Sequence, residues 1–336
     1  MGNYVVESKE MIQPSNDGES NHRFSIWYHP IYTNGIHPDA RFPRDRYTKL
    51  LEKLENPESS NKFIIQKPTE ASRNELILAH DSCYVDNFLS QNLTEKEIKR
   101  IGLTPWTPQI VPRTLLLMGG AIAALDHVME NGGIAGNMAG GTHHAHHDFG
   151  SGYCIFNDLA VCSLLALSKY NLTKIAVVDF DVHQGDGTAT ILQNVDKVLT
   201  ISVHCRENFP FRKSESDYDL ELPANTGDEE MLTMVAKALE LTKQFDPQLI
   251  LFQAGVDGLA TDALGKLNIS RQGMSKRNEM VFDLAVEQLI PTVVFMGGGY
   301  SDPIRHTIDA FSDLFHSAYR ANNHFLNMVN LGDVDS

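Results

Sequence analysis

The chain has few cysteines and no long apolar run. Its four cysteines form no CxxC pair, so neither a thiolate zinc site nor a disulfide framework is indicated. No apolar run approaches the ~20 residues that a membrane-spanning helix needs, which argues against a membrane location. The first residues, MGNYVVESKE, lack the apolar stretch of a secretory signal, and Val6 lies where a myristoylation motif requires Ser or Thr. We therefore expect a cytoplasmic protein without a lipid anchor.

Positive charge is also scarce. The chain has 28 Lys and Arg residues against 43 Asp and Glu residues, a formal net charge of -15. This balance disfavours direct binding to nucleic-acid phosphates, and it would attract a cationic substrate. Nothing in the composition indicates an oligomeric state, which stays open.

Internal repeats, low-complexity tracts and long linkers are absent too. A chain of 336 residues with 42% hydrophobic and 21% charged residues is typical of a globular protein with a sizeable core. Residues 1–22 are rich in Ser, Asn, Asp and Glu, and we expect a loosely ordered leader there. The remainder, residues 23–336, is predicted to form a single domain.

Short apolar runs alternate with segments of helical spacing. The runs predicted to be buried strands are KIAVVDF (174–180), KVLTISV (197–203), QLILFQA (248–254) and PTVVFM (291–296). The predicted helices are VPRTLLLMGGAIAALDHVMENGG (111–133), FNDLAVCSLLALSKY (156–170), EEMLTMVAKALELTKQF (229–245) and MSKRNEMVFDLAVEQL (274–289). This alternation predicts an α/β fold: a doubly wound, mostly parallel sheet with helices on both faces.

Acidic residues and a histidine follow the first of these strands directly. In AVVDFDVHQGDG, the residues Asp179, Asp181, His183 and Asp186 come at the carboxyl end of the strand, where open α/β sheets form ligand sites. Strand alternation would point Asp179, Asp181 and His183 the same way. Carboxylate oxygen and neutral imidazole nitrogen are both zinc ligands, so the array predicts a divalent-metal site.

Two further strands are followed by polar groups. Asp257 comes after LILFQAG, and Tyr300 comes after VVFMGGG. Taken alone, Asp257 would more often be a helix cap or an Asx-turn, and Gly297–Gly299 would be a tight turn. The same position at the end of a strand favours a shared site with Asp181.

Four histidines lie within five positions of GTHHAHHDFGSGYC (141–154). An imidazole exchanges protons near neutral pH, so His143 and His144 are the predicted acid/base pair. Asp179 and Asp186 are available to hydrogen-bond their far ring nitrogens and fix the tautomers. For His146 and His147, a loop position without a metal role is the favoured interpretation.

Four sequence blocks carry a family resemblance. GGTHHAHHDFGSGYCIFND, VVDFDVHQGDG, QAGVDGLATDALGKL and MGGGYS, in this order and spacing, resemble the zinc-dependent histone deacetylase and acetylpolyamine amidohydrolase family. The resemblance extends from about residue 24 to 320. The segments WYHPIYTNG and RFPRDRYTKLLEKL are more similar to its class IV, bacterial-type branch. The resemblance implies an arginase/deacetylase-like fold and a deacetylase-like catalytic domain.

The resemblance also assigns ions to residues of this chain. It implies that Asp181, His183 and Asp257 bind Zn²⁺. By the same analogy, backbone carbonyls of residues 179–183, together with Ser202, would hold a structural potassium ion. A site of this kind accepts several divalent metals, so the physiological ion is open.

Catalytic roles follow in the same way. The resemblance implies that His143 and His144, paired with Asp179 and Asp186, transfer protons, and that Tyr300 contacts the substrate carbonyl. A metal-activated water would then attack the amide, with the tetrahedral oxyanion stabilised by Tyr300 and the metal.

Four residues are implied to bind the substrate. Gly152 would offer its carbonyl to the substrate amide, while Tyr153, Phe209 and Leu264 would line a narrow tunnel. The loop HCRENFPFRKSES could equally present Phe211 instead of Phe209.

The expected function is removal of acetyl or longer acyl groups from lysine-like amines. The partners would be acylated lysine peptides or proteins; acylated polyamines and small acylated metabolites are the alternative. Arginase-type ureohydrolases need paired motifs such as Asp-x-His-x-Asp for two manganese ions, whereas Asp257 has no partner two residues away. A binding protein without catalysis would be expected to lack a ligand or the tyrosine, and here every position is filled.

Overall fold

The computed structural model describes residues 22–334. Residues 1–21, which make up nearly all of the predicted leader, lie outside the described residues, as do the last two residues of the predicted domain.

A single sheet of eight strands forms the centre of the described chain. Its strands are β1 (Phe24–Trp27), β2 (Phe63–Gln66), β3 (Ile134–Asn137), β4 (Ile175–Asp179), β5 (Val198–Cys205), β6 (Tyr218–Leu222), β7 (Leu249–Gln253) and β8 (Thr292–Phe295). Their spatial order is β2-β1-β3-β8-β7-β4-β5-β6. Every neighbouring pair is parallel. The predicted α/β fold is confirmed.

Helices cover the sheet on both faces. They are α1 (Ile31–Asn34), α2 (Arg46–Leu54), α3 (Arg73–Leu76), α4 (Ser82–Leu89), α5 (Glu95–Ile101), α6 (Ile110–Asn131), α7 (Asp158–Lys169), α8 (Asp186–Leu192), α9 (Asp228–Phe245), α10 (Arg271–Glu287) and α11 (Arg305–Val334). Helices α6 and α7 contact each other and the sheet, and α9, α10 and α11 form a second packed group. None of the helices in residues 22–334 is both long and apolar enough to cross a membrane.

The four predicted strands correspond to β4, β5, β7 and β8, within two residues at each end. All four are buried along their whole length, as continuous apolar runs predict. The predicted helices correspond to α6, α7, α9 and α10. The prediction named no strand at β1, β2, β3 or β6.

The middle of α6 contacts backbone that leads into α3. The N–H of Ala71 donates to the carbonyl of Leu115 at 3.0 Å, so residues 69–71 lie directly on the helix. A Cβ atom at Gly119 would overlap the carbonyl oxygen of Thr69. Glycine is therefore required in this helix for close packing.

We expect Gly119→Ala to destabilise the protein. Helix propensity alone would favour alanine by about 1 kcal/mol, but the overlap with Thr69 should reverse the sign and cost about 1–3 kcal/mol. Urea unfolding with a fixed m-value measures the difference. Gly227→Ala is the matched control, because a Cβ there meets nothing within 4 Å. A stabilised Gly119→Ala variant would contradict the packing.

Candidate active site

Four adjacent strands deliver the predicted site residues to one edge of the sheet. In the order β3-β8-β7-β4, each strand ends where a polar segment begins. The histidine run follows β3, Tyr300 follows β8, Asp257 follows β7, and Asp181 with His183 follows β4. Because parallel strands end at the same edge, segments far apart in sequence meet there.

Asp181, His183 and Asp257 come together as one buried group. Each offers a ligand atom, and these atoms all lie within 4.8 Å of one another. The Nδ1 atom of His183 is 3.0 Å from Oδ1 of Asp181 and 3.1 Å from Oδ2 of Asp257. The arrangement can hold one divalent cation between two carboxylates and an imidazole.

Strand alternation does not produce this group, and that expectation was wrong. Strand β4 ends at Asp179, and residues 181–183 form bends. Two carboxylates cause the turn: Oδ1 of Asp179 accepts the N–H of Asp181 at 3.1 Å, and Oδ1 of Asp181 accepts the N–H of His183 at 3.0 Å. Asp179 is not a member of the group of three: its Oδ1 accepts from the backbone of Asp181, and its Oδ2 contacts Nδ1 of His143.

The electrostatics of the group fit a cation. Burial, reinforced by the charge of Asp181, raises the pKa of Asp257 to about 7. Burial alone would lower the pKa of His183, but its hydrogen bonds to Asp181 and Asp257 raise it to about 10. A positive charge is thus favoured between the carboxylates, and a divalent ion supplies it more fully than a proton does.

Glycines allow the backbone to pass close to these carboxylates. A Cβ atom at Gly298 would overlap Oδ2 of Asp257, and one at Gly255 would overlap Oδ2 of Asp181. The N–H of Gly298 donates to Oδ2 of Asp181 at 2.8 Å. The backbone of the Gly297–Gly299 run therefore lies directly against the predicted ligands.

Each of the tandem histidines has its own carboxylate. Nδ1 of His143 lies 2.7 Å from Oδ2 of Asp179, and Nδ1 of His144 lies 2.6 Å from Oδ1 of Asp186. Both rings are buried, and their centroids are 4.1 Å apart. This is the pairing that the sequence predicted for these four residues.

The two imidazoles differ in pKa. Burial would lower the pKa of His143, yet the charges of Asp179 and Asp181 raise it to about 9. Burial, together with the neighbouring charge of His143, lowers the pKa of His144 to about 4. The pKa values of the two imidazoles are thus shifted in opposite directions, which suits an acid beside a base.

The second histidine pair lies outside the group of three. Nε2 of His146 is 3.2 Å from Oδ2 of Asp186, and its Nδ1 is 2.8 Å from the hydroxyl of Thr190. Nδ1 of His147 is 3.0 Å from the carbonyl oxygen of Ala79. Neither residue belongs to the group that could hold a metal.

Tyr300 is held at the cavity by its backbone and its ring. Its N–H donates to Oδ2 of Asp262 at 2.6 Å, and its ring lies 5.6 Å from the guanidinium of Arg46. Burial raises the pKa of the Tyr300 phenol well above its ordinary value, so the phenol stays protonated and able to donate. Arg46 also donates to the carbonyl of Gly299 at 3.2 Å.

One cavity of about 550 Å³ connects these groups. Its lining includes the predicted substrate residues Gly152, Tyr153, Phe209 and Leu264. The Phe209 ring is 4.9 Å from the His144 ring, and Phe211 lines the same cavity while 90% exposed. The loop thus presents both phenylalanines, Phe209 inside and Phe211 at the rim.

Sequence reasoning missed several residues that support the site. Buried Arg277 of α10 donates to the carbonyls of Phe180 and Gly255, which flank the predicted ligands. Nδ2 of Asn208 lies 3.4 Å from Nε2 of His183 and donates to the carbonyl of Leu264 at 2.8 Å. Arg277 lies within a predicted helix, and no local pattern distinguishes it from a surface arginine.

The family of the chain follows from its similarity to known proteins. Residues 40–313 match the family model of the histone deacetylase domain. The chain belongs to the histone deacetylase family. An uncharacterised protein of the cyanobacterium Picosynechococcus sp. is 39% identical over 88% of this chain and 98% of its own length. Histone deacetylase 2 of Arabidopsis thaliana is 30% identical over 79% of this chain and 70% of its own length.

Solved structures support the fold. Acetylpolyamine aminohydrolase from Burkholderia pseudomallei superposes with a TM-score of 0.72 and 18% identity, covering 88% of this chain and 98% of that one. At this identity the likeness concerns the fold alone. The predicted family of this deacetylase-like chain is confirmed, and the class IV branch stays a prediction.

Removal of Asp257 should abolish tight metal binding. Asp257→Ala leaves two ligands of three, and we expect Zn²⁺ affinity to fall by more than about 100-fold. Titration calorimetry with a zinc buffer measures this, while circular dichroism checks the fold. Tyr300→Phe is the control that should keep wild-type affinity, since the phenol is not in the ligand group. Wild-type zinc affinity in Asp257→Ala would refute the assignment.

Proposed function

We propose that this member of the deacetylase family is a zinc-dependent amidohydrolase that removes acetyl or longer acyl groups from lysine-like amines. The observation that supports it best is convergence on one cavity. Asp181, His183 and Asp257 form a group of three metal ligands, and two His–Asp pairs and Tyr300 line or support the same cavity. Family membership supports the deacetylase chemistry, whereas the metal and the substrate are our inference.

The three buried ligands would hold Zn²⁺. When bound there, the ion lowers the pKa of a water and polarises the acyl carbonyl. Their donor set, two carboxylates and one imidazole, consists of the oxygen and nitrogen ligands that Zn²⁺ accepts. The described residues offer one such group, which favours a single-metal enzyme over a two-metal ureohydrolase.

His144 is the proposed general base. Its Nδ1 is occupied by Asp186, so Nε2 is free to take a proton from the attacking water. His143, which Asp179 keeps protonated, is the proposed donor to the leaving amine. The water oxygen bonds to the acyl carbon, the C–N bond breaks, and a carboxylic acid and a free amine leave.

Tyr300 is proposed to stabilise the oxyanion. Its phenol remains protonated, and the ring is fixed between Arg46, Phe42 and Tyr153. A preorganised donor of this kind contributes where charge develops during acyl transfer. Gly152, Tyr153, Phe209 and Leu264 would hold the acylated side chain in the cavity.

Other parts of the proposal concern the whole chain. We propose that residues 23–336 form one catalytic domain and that the protein works in the cytoplasm. A structural potassium ion at residues 179–183 and Ser202 stays a prediction. The hydroxyl of Ser202 lies 2.9 Å from Nδ1 of His204.

The test is hydrolysis of three substrates by the zinc-loaded protein: an acetyl-lysine peptide, a long-chain acyl-lysine peptide and an acetylated polyamine. We expect hydrolysis of a lysine peptide. His144→Ala should lower kcat by about 10²–10⁴, and Tyr300→Phe should lower it by about 10²–10³. Zinc content measured in each variant separates loss of catalysis from loss of metal. Intact substrates with zinc bound would reject the lysine-deacylase function, and cleavage of the polyamine alone would establish the alternative.

A further inference from the structure

The charges that line the cavity have the opposite sign to those of the whole chain. Among its lining residues, the carboxylates are Asp181 and Asp257, which belong to the predicted metal group. The other charged residues of the lining are all cations: Arg46, Arg100, Arg113 and Lys266. In a chain with a net charge of -15, this is not the distribution that composition alone would produce.

Two of these cations lie at the outer end of the cavity. Arg100 and Lys266 are exposed, as are the neighbouring lining residues Phe211 and Leu264, at 90% and 44%. The Arg100 guanidinium lies 4.5 Å from the centroid of the Phe149 ring. Nζ of Lys266 donates to the carbonyl of Glu207 at 2.7 Å. Both cations are therefore held at the rim by neutral groups.

Three carboxylates of the rim region are already engaged. The hydrogen bonds of Thr94, with a smaller contribution from the charge of Arg100, hold the pKa of Glu97 below its usual range. Asp262 accepts the N–H groups of Leu264 and Tyr300, at 2.9 and 2.6 Å. Glu207 accepts the N–H of Ala224 at 2.9 Å and pairs with Arg206. Within the described residues, neither Arg100 nor Lys266 has a carboxylate within 4 Å.

We infer that this enzyme selects acylated amines with negative charge beside the acylated group, such as an acyl-lysine flanked by acidic residues. The inference rests on the proposed function, because it concerns what enters the same cavity. Arg100 and Lys266 attract such a substrate within a Debye length of about 10 Å, and Phe211 and Leu264 offer apolar contact. A polycationic acylated polyamine is repelled at the same rim, contrary to what the net charge of the chain suggests.

Three acetyl-lysine peptides of equal length test the selection, with two Asp, two Ser or two Arg residues flanking the lysine. We expect kcat/KM to fall in that order, by about tenfold from the first to the last, and the difference to shrink at high salt. Arg100→Gln and Lys266→Gln should reduce the differences in kcat/KM among the three peptides. Lys237→Gln, an equal charge change on α9 away from the cavity, should not.

Binding of the same peptides to zinc-loaded His144→Ala, measured by fluorescence anisotropy, separates the two proposals. If the wild type hydrolyses all three peptides with equal kcat/KM, the selection is refuted and the proposed function is left intact. Preferential binding of the acidic peptide without hydrolysis by the wild type refutes the function and supports the selection. Equal binding of all three peptides refutes the selection in either case.

A separate observation concerns the second histidine pair. The carboxylate of Asp186 is shared: Oδ1 lies 2.6 Å from Nδ1 of His144, and Oδ2 lies 3.2 Å from Nε2 of His146. His146 is fixed in turn by the hydroxyl of Thr190 and by stacking on Phe149, at 4.4 Å between centroids. Both oxygens of Asp186 thus contact an imidazole of the same loop.

The geometry points to His146 as a positioning residue for the His144–Asp186 pair. A carboxylate held at one oxygen can rotate about its side chain, whereas one held at both oxygens keeps a single orientation. His146 therefore fixes the acceptor that aligns His144, and it touches neither the predicted metal ligands nor the substrate residues. The side chain of His147, the next residue, hydrogen-bonds the carbonyl of Ala79 and no other group within residues 22–334, so it makes a matched control.

His146→Ala should lower kcat by about tenfold, with KM and zinc content unchanged. His146→Gln keeps an N–H donor for Asp186 and should restore most of the loss, whereas His147→Ala should behave as wild type. The proton resonance of Nδ1–H in His144, measured by NMR, should shift in His146→Ala alone and needs no substrate. An unchanged resonance, or an equal loss of kcat in His147→Ala, would reject this role.

Discussion

Four buried carboxylates at one edge of the sheet are the constraint on which the site depends. Asp179, Asp181, Asp186 and Asp257 lie within a few residues of strand ends, shielded from water. Buried anions persist only where hydrogen bonds and positive charge compensate them. Imidazoles supply this at Asp179 and Asp186, while at Asp181 and Asp257 the compensation is shared with His183. A cation between the last two would complete the compensation of charge in the site.

The scaffold around these anions is polar where the backbone turns. The carbonyls of Phe180, Ala254 and Gly255 lie beyond the ends of β4 and β7, and the guanidinium of Arg277 donates a hydrogen bond to each of them. Burial lowers the pKa of this guanidinium to about 10, a value at which it is still charged at neutral pH. One cation from α10 thereby satisfies the backbone of both ligand-bearing segments and offsets part of their negative charge.

Much of this could be predicted from the sequence, because apolar runs followed by acids mark buried strands and their carboxyl ends. The ligand group was predicted for that reason, as were the carboxylates of the His–Asp pairs, whereas the two histidines were predicted from the histidine run itself. Strands β1, β2, β3 and β6 were not predicted. They are short, and segments such as IAGN in β3 and YDLEL in β6 are not continuously apolar. Arg277 and Asn208 act through partners up to 97 and 58 positions away, and the bend at Asp181 depends on side chain to backbone bonds. Periodicity carries no signal for such contacts.

The ligand group combines residues from separate strands, so it exists only in the folded chain. His183 and Asp257 are 74 positions apart, and β7 must pair with β4 before their side chains meet. An unfolded chain offers no such group, so the proposed divalent ion would bind the native state in preference to the unfolded ensemble. Its binding would add to the free energy of unfolding, by an amount that rises with ion concentration. The availability of that ion would then set the folded fraction of the chain as well as its activity.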